Sequence, residues 1–356
     1  MRRLRWLALA VALFVAAAWL MSGPSRPESA VVAAARDIAV PRHPTHEEFL
    51  RRTQRATIVE NLPPTEADDA PTVRRYDPLL VALPPTAPGQ TVLVVEANAI
   101  RYSALGERVI GCLLQRDRKE YDEVVEKLGI DPFEDIDRIG GTDQLLTISG
   151  NFERLHFEGL STETTRPYGD HGQLVTEGSR VIGLWKNELL LISADRQQVE
   201  AAIDRLEGRA ERSTAPLAEG VAYGEIYGNL SPEALLDLVP AENRARFAEK
   251  LQRAAQQIEL HVNVQEDVAM VATIRGEGGE ALTDLSKSLG AALALGRLSA
   301  ANGGEPDLAE VLDLAKVRPP SSDHGDAELE AELVLPRALL EKHLAEVCDP
   351  AVPAAD

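Results

Sequence analysis

The apolar positions of the chain fall into three patterns, each of which predicts a different kind of element. The first is an unbroken run, WLALAVALFVAAAWLM from Trp6 to Met21, with neither charge nor proline. As a helix it reaches about 24 Å, and with Ser22 and Gly23 it spans a slightly thinned bilayer. The second is the short β-branched run, such as QTVLVVEANAI after Pro88 and Gly89, which predicts a buried strand. The third is the three- and four-residue spacing that predicts helices over Ser103–Gln115 and Arg118–Leu128. Three more strands, QLLTISGNF, QLVTEGSRVIGLW and ELLLISAD, then lead into the helix RQQVEAAIDRLEG. Residues 90–208 therefore read β-α-α-β-β-β-α.

The second half has a similar order. It opens on GVAYGEIYGNL, passes through SPEALLDLV and AENRARFAEKLQRAAQQ, and forms the hairpin IELHVNVQEDVAMVATIRG around Gln265-Glu266-Asp267. Helices EALTDLSKSLGAALALGRL and DLAEVLDLAKV follow, then the strand AELEAELVLP and the helix RALLEKHLAEV. Each half starts with a strand running into two helices and ends with a strand running into a helix. Asp170-His171-Gly172 and Asp323-His324-Gly325 each precede a late strand of their half. A divergent duplication is the simplest account. The expected fold is α+β: two tandem, divergent lobes, each a mostly antiparallel sheet with helices on one face.

The domain plan has residues 1–23 as an N-terminal signal anchor and transmembrane helix, 24–88 as a proline-rich linker, 89–212 and 213–349 as the two lobes, and 350–356 as a tail. Eleven of the 22 prolines lie between residues 24 and 88. Within that linker THEEFLRRTQRA predicts one short helix, with Thr45 as N-cap and Glu48 completing a capping box.

Charge sharpens this plan. Residues 1–60 carry nine arginines against five acids, and the remainder carries 28 basic against 52 acidic residues, net −24. So acidic a body repels phosphate backbones, and with only 4% aromatic residues it lacks stacking platforms for bases. No nucleic-acid partner is expected. Three arginines before the apolar run place the N-terminus in the cytoplasm and the rest outside, as a single-pass protein of a bacterial inner membrane with a periplasmic body. The alternative is secretion after cleavage of a signal peptide, although the one well-formed small-x-small site, Ala16–Ala18, lies inside the run. In an oxidising compartment Cys112 and Cys348 have two readings, a disulfide or two small buried apolar residues.

Each chemically suggestive stretch also has an ordinary structural use. LGIDPFEDIDRIGG, Leu128–Gly141, fails the alternation of a calcium loop. Its local reading has Asp131 capping a short helix, Pro132 in the first turn, Glu134 answering the cap, Glu134 and Asp135 favouring the helix dipole, and Gly140-Gly141 ending the helix at positive φ, with Asp137 solvated. His171 and His324 beside their aspartates invite a relay with Ser321 or Ser322, but no nucleophile elbow exists and Asp-His-Gly is turn composition. His43, His46, Glu47 and Glu48 hold metal-ligating groups, but Pro44 denies them helical spacing. IRGEGGE, Ile274–Glu280, has no lysine for a phosphate. The helix Ala281–Leu298 is apolar on nearly every face, which predicts burial under a sheet, with a wall for a hydrophobic ligand as the other reading.

KLGIDPFEDIDRIGG and NELLLISADRQQVEAAIDRLEGR resemble segments of poorly characterised exported bacterial proteins of domain-of-unknown-function type, over residues 88–208. The second half departs from that pattern by lacking the L-G-x-D run. The resemblance implies export and an α+β fold, and it transfers no catalytic residues. The sequence thus leads to a non-catalytic, membrane-anchored envelope protein that binds another envelope protein or acts as a scaffold. A carrier of hydrophobic ligand or lipid is the alternative, and an uncharacterised hydrolase the third reading. No catalytic, cofactor-binding or metal-binding residue is assigned.

Overall fold

The structure is a computed structural model of the 356-residue chain. It describes residues 38–62, 72–87, 89–157, 165–212, 217, 222–236, 241–276, 279–304, 306–320 and 327–348. The apolar run Trp6–Met21, the turn Asp323-His324-Gly325 with Ser321 and Ser322, and the tail lie outside the described residues. Among the described residues no helix is long and apolar enough to cross a membrane.

In chain order the strands are β1 Ile58–Leu62, β2 Thr72–Tyr76, β3 Val92–Val95, β4 Ile136–Thr142, β5 Leu146–Gly150, β6 Arg166–Tyr168, β7 Gly172–Glu177, β8 Arg180–Trp185, β9 Leu189–Ser193, β10 Ile226–Leu230, β11 Gln257–Val264, β12 Val268–Gly276, β13 Ala315–Val317 and β14 Ala327–Leu335. The helices are α1 His46–Thr53, α2 Pro78–Ala82, α3 Ala97–Arg101, α4 Ala104–Arg116, α5 Arg118–Leu128, α6 Arg196–Glu207, α7 Pro232–Leu236, α8 Ala241–Ala254, α9 Gly279–Gly303, α10 Pro306–Leu314 and α11 Arg337–Cys348. The class is α+β with extensive antiparallel sheet, as the periodicities imply.

The chain divides into two compact units that are interleaved along the sequence. One comprises residues 1–43, 87–121 and 221–356, and the other residues 44–86 and 122–220. In the first, an antiparallel sheet runs β13-β14-β12-β11-β10-β3. Ile258, Leu260 and Val262 of β11 share a face with Ile274 of β12 and Leu329 of β14. Helices α7, α8 and the start of α9 close that face through Leu236, Leu251, Leu282 and Leu285. Further along the same face, α4 and α11 pack on Ile226, Val262 and Val264 through Leu105, Cys112 and Leu344.

In the second unit the sheet runs β4-β5-β9-β8-β7-β6. Helix α6 lies on one face, close enough that a Cβ on Gly183 would come within 2.6 Å of Val199. On the other face Ile182, Leu184 and Leu190 meet Ile130 and Phe152.

Three expectations change. The compact units do not follow the chain halves 89–212 and 213–349, because β3 pairs with β10 in the register Ile226↔Val95. Local periodicity identifies β3 as a strand but does not select its neighbour. Gly228 of β10, at φ +149, permits the pairing, since any side chain there would collide with the Val92 carbonyl. Next, the described residues between 44 and 86 do not read as a bare spacer. Besides the expected α1 they form the antiparallel pair β1–β2 and helix α2, whose Leu79, Val81 and Ala82 are fully buried. Finally, no helix runs from Asp131 to Gly141. One turn is followed by β4, in which both glycines are extended, and Gly140 leaves room for Leu79, which would lie 2.7 Å from an added Cβ.

Candidate functional site

Of the residues the sequence singles out for chemistry, Glu48, Asp131 and Asp135 hold backbone N–H groups. Asp131 accepts from the backbone N–H of Phe133 at 2.8 Å, and buried Asp135 accepts from the N–H of Asp131 at 2.7 Å while pairing with Arg154 at 3.0 Å. Asp137 is exposed. The Asp170-His171 turn is the β6–β7 hairpin connection, and its two N–H groups donate to the Glu207 carboxylate, both at 2.8 Å. The left-handed residue there is Gly169 at φ +67, whereas Gly172 already belongs to β7. Burial alone would push the Glu207 carboxyl up, but these two donors and Arg209 outweigh it and hold the pKa below the usual range.

His43 and His46 fall in different compact units. Thr45 and Glu48 form the full capping box of α1, so Glu48 is committed to that helix end. Of IRGEGGE, Ile274–Gly276 ends β12 and Gly279 opens α9. Among the described residues no group of three or more His, Cys, Asp or Glu is placed to hold a metal ion.

The two cysteines are joined. Cys112 of α4 and Cys348 of α11 form a disulfide with Cα atoms 5.4 Å apart, bridging 236 positions of sequence. Of the two readings left open by the sequence, the bond is the one found.

One polar feature has no forerunner in the sequence reading. The face of the first unit's sheet opposite its helices carries Glu259 of β11, Arg275 of β12, and Glu328, Glu330 and Glu332 of β14, brought side by side by the registers Arg275↔Glu328 and Glu259↔Thr273. Arg275 bridges Glu259 and Glu328. Arg42, from the segment ahead of α1, forks onto Glu330 at 2.8 and 2.9 Å and reaches Glu332 at 2.7 Å. Arg318 also pairs with Glu332, at 2.9 Å. Nearby, Tyr223 stacks on the buried His261 ring, 3.6 Å between centroids. Burial, then the negative charge of Glu259, pushes the Tyr223 phenol up to about 12. Tyr227, also buried, donates to Glu96 at 2.9 Å. A row of alternating glutamates in AELEAEL was the available signal, but it becomes meaningful only once Arg42 and Arg275 are placed against it. Chemically this is an ion-pair network of four carboxylates and three guanidiniums that holds Arg42 against β14.

The remaining feature is α9, and here burial is corrected. Only its first turns and Ala300 are buried, through Leu282 and Leu285. Arg297 is turned inward to the carbonyls of Leu312 and Ala315, at 2.7 and 2.8 Å. On the outer side Ala291, Ala294, Leu295 and Leu298 face solvent, with Leu295 68% and Leu298 61% exposed. An apolar sequence all round a helix implies burial only if other elements cover every side, and here the neighbours α8, α10 and β14 cover one. What the arrangement offers is a charge-free, shallow helix surface able to receive another apolar surface.

No known protein family and no curated protein matches the sequence. Among solved structures the chain is similar to three crystal forms of TP0453. Form I matches with a TM-score of 0.38 at 11% identity, over 76% of this chain and 97% of that one. Form III gives 0.41 at 9% identity, over 76% and 98%. Form IV gives 0.40 at 11% identity, over 75% and 96%. Likeness at this level assigns neither family nor activity.

Proposed function

We propose that this is a non-catalytic, membrane-tethered protein of the bacterial envelope that acts by docking, as a scaffold or partner-binding protein. The outer face of α9 carries the reading: large apolar side chains stay in water on a chain of net charge −20, where a buried helix or a charged surface would be the ordinary outcome. Two further features support it. The Cys112–Cys348 bond suits folding in an oxidising compartment, beyond the Trp6–Met21 anchor. Among the described carboxylates most suggestive of chemistry, Glu48 caps α1, Asp131 holds a turn and Asp135 pairs with Arg154.

The double variant Leu295→Asp, Leu298→Asp tests the proposal in the full chain. We expect the protein to remain in the membrane fraction with unchanged thermal stability while losing whatever cross-links to it in place. Retention of the wild-type cross-linking pattern would refute docking through α9. The alternative, a carrier of hydrophobic ligand, draws on the same exposed leucines and is separated by mass spectrometry of the purified protein: a carrier brings stoichiometric lipid, a docking protein does not.

A further inference from the structure

We propose that the outer face of α9 takes the same face of a second copy of this chain, the two helices packing antiparallel about a two-fold axis beside Ala294 and Leu295. The inference rests on the docking reading above and names its partner. Successive residues of an α-helix turn by about 100°, so Lys287, Ala291, Ala294, Leu298 and Asn302 lie along the ridge farthest from the packed side, where Leu285, Leu289, Leu293 and Ala300 lie. Around that ridge size is distributed in a self-complementary way. Lys287, Gly290, Ala291 and Ala294 stand at i, i+3, i+4 and i+7, the four corners of a hole into which a facing helix inserts a side chain. Three corners are Gly or Ala. An antiparallel two-fold beside Ala294 brings Leu298 of the second copy to that hole, and by symmetry the reverse, while the two copies of Leu295 meet across the axis.

Gly290 supports this independently of the leucines. It sits within a 25-residue helix, and a Cβ added there would meet nothing within 4 Å, so neither packing nor positive φ accounts for it. A mid-helix glycine costs about 1 kcal/mol relative to alanine, and close approach of an outside backbone is a physical reason to keep it. Charge points the same way. Copies with a net charge of −20 repel wherever acidic surfaces meet, but Lys287–Asn302 contains no acid: its two charged residues are the basic Lys287 at one end and Arg297, which is turned inward. A bilayer would favour another composition, with aromatic residues on the apolar side and a basic flank.

The area sets the strength. Lys287–Asn302 is about 22 Å long, so with a helix width of about 10 Å it offers roughly 200–300 Å² per copy, below the ~800 Å² per partner of a standard interface. The dimer is therefore weak in free solution and gains from two copies sharing one membrane, where the effective concentration is far higher.

Cysteine cross-linking in membranes containing the full chain tests the geometry, since the native cysteines are already paired. Leu295→Cys is expected to give dimers at least tenfold faster than Asn302→Cys. Leu298→Cys should cross-link poorly to itself but readily to copies bearing Ala291→Cys. Adding Leu298→Asp should abolish the Leu295→Cys dimer. Equal rates at 295 and 302, efficient self-linking at 298, or insensitivity to Leu298→Asp would each overturn the proposal. So would protection of Leu295→Cys from maleimide by phosphatidylethanolamine–phosphatidylglycerol vesicles without any dimer, which would assign the face to lipid. If the chain fractionates as soluble, the tether fails separately; the same cross-links are then read at high protein concentration, and their absence still rejects the dimer.

Discussion

Arg205 brings a guanidinium into the interior of the second unit, where its Nε donates to the Val81 carbonyl at 3.0 Å and its terminal nitrogen to that of Ala82 at 2.6 Å. Burial lowers its pKa, yet the group keeps its charge because an arginine starts so high. These bonds satisfy the last carbonyls of α2, so Arg205→Ala should destabilise the protein by roughly 3 kcal/mol in urea denaturation. Arg205→Lys should not restore it, since a point donor cannot span both carbonyls. Glu207 yields a prediction of pH dependence. Its carboxyl is depressed in the folded chain, so its contribution is fully present above the unfolded value and is lost as pH falls through the folded one. Glu207→Gln should be less stable than wild type at neutral pH, and the difference should vanish on acid titration; a gap that persists in acid would mean the carboxylate charge is not what holds the turn. At this scale the sequence was most legible where chemistry is local. Thr45, Glu48 and Asp131 cap as their types imply, while the reason for Gly140 lies on α2, sixty residues away in sequence, where Leu79 needs the space.

Among the elements, α11 depends most on a covalent bond. It is joined to α4 by Cys112–Cys348 and supported by an ion pair between Arg108 and Glu341 at 2.5 Å. In the chain-entropy view, closing a loop of 236 positions stabilises by about 5 kcal/mol. The double variant Cys112→Ser, Cys348→Ser should therefore melt at a markedly lower temperature, and hydrogen exchange should show the loss first in α11; an unchanged exchange rate there would show that packing alone holds it. Strands and helices with a strict period were readable, including β5, β9 and α6, whereas QLVTEGSRVIGLW, expected as one strand, is the hairpin β7–β8 turned at Gly178 (φ +59). The failures share one cause. A short element such as α2, five residues among prolines, shows too little period to detect, and α9 shows an apolar period on every side, which states what it could bury but not how much of it is covered.

For the whole molecule, the interleaving of the two units matters more than the count of elements. Residues 213–349, which read as a lobe, lack β3, α3 and α4, and so lack the strand that pairs with β10 and the cysteine that secures α11. That fragment should be unfolded by circular dichroism when made alone; a cooperative transition would contradict the division. The sequence showed the α+β class and the acidic balance of the chain, but not the interleaving that puts residues 87–121 with 221–356, because pairing between strands about 130 positions apart leaves no periodic trace. The disulfide also governs how tension would run through the protein. A pull applied at the two ends passes from Cys112 directly to Cys348, so the residues between them, including all of 122–220, lie off the loaded path. About 800 Å of extensible contour is thereby withheld. Stretched oxidised, the chain should yield a short extension from its outer segments alone, and only a reductant should release the rest.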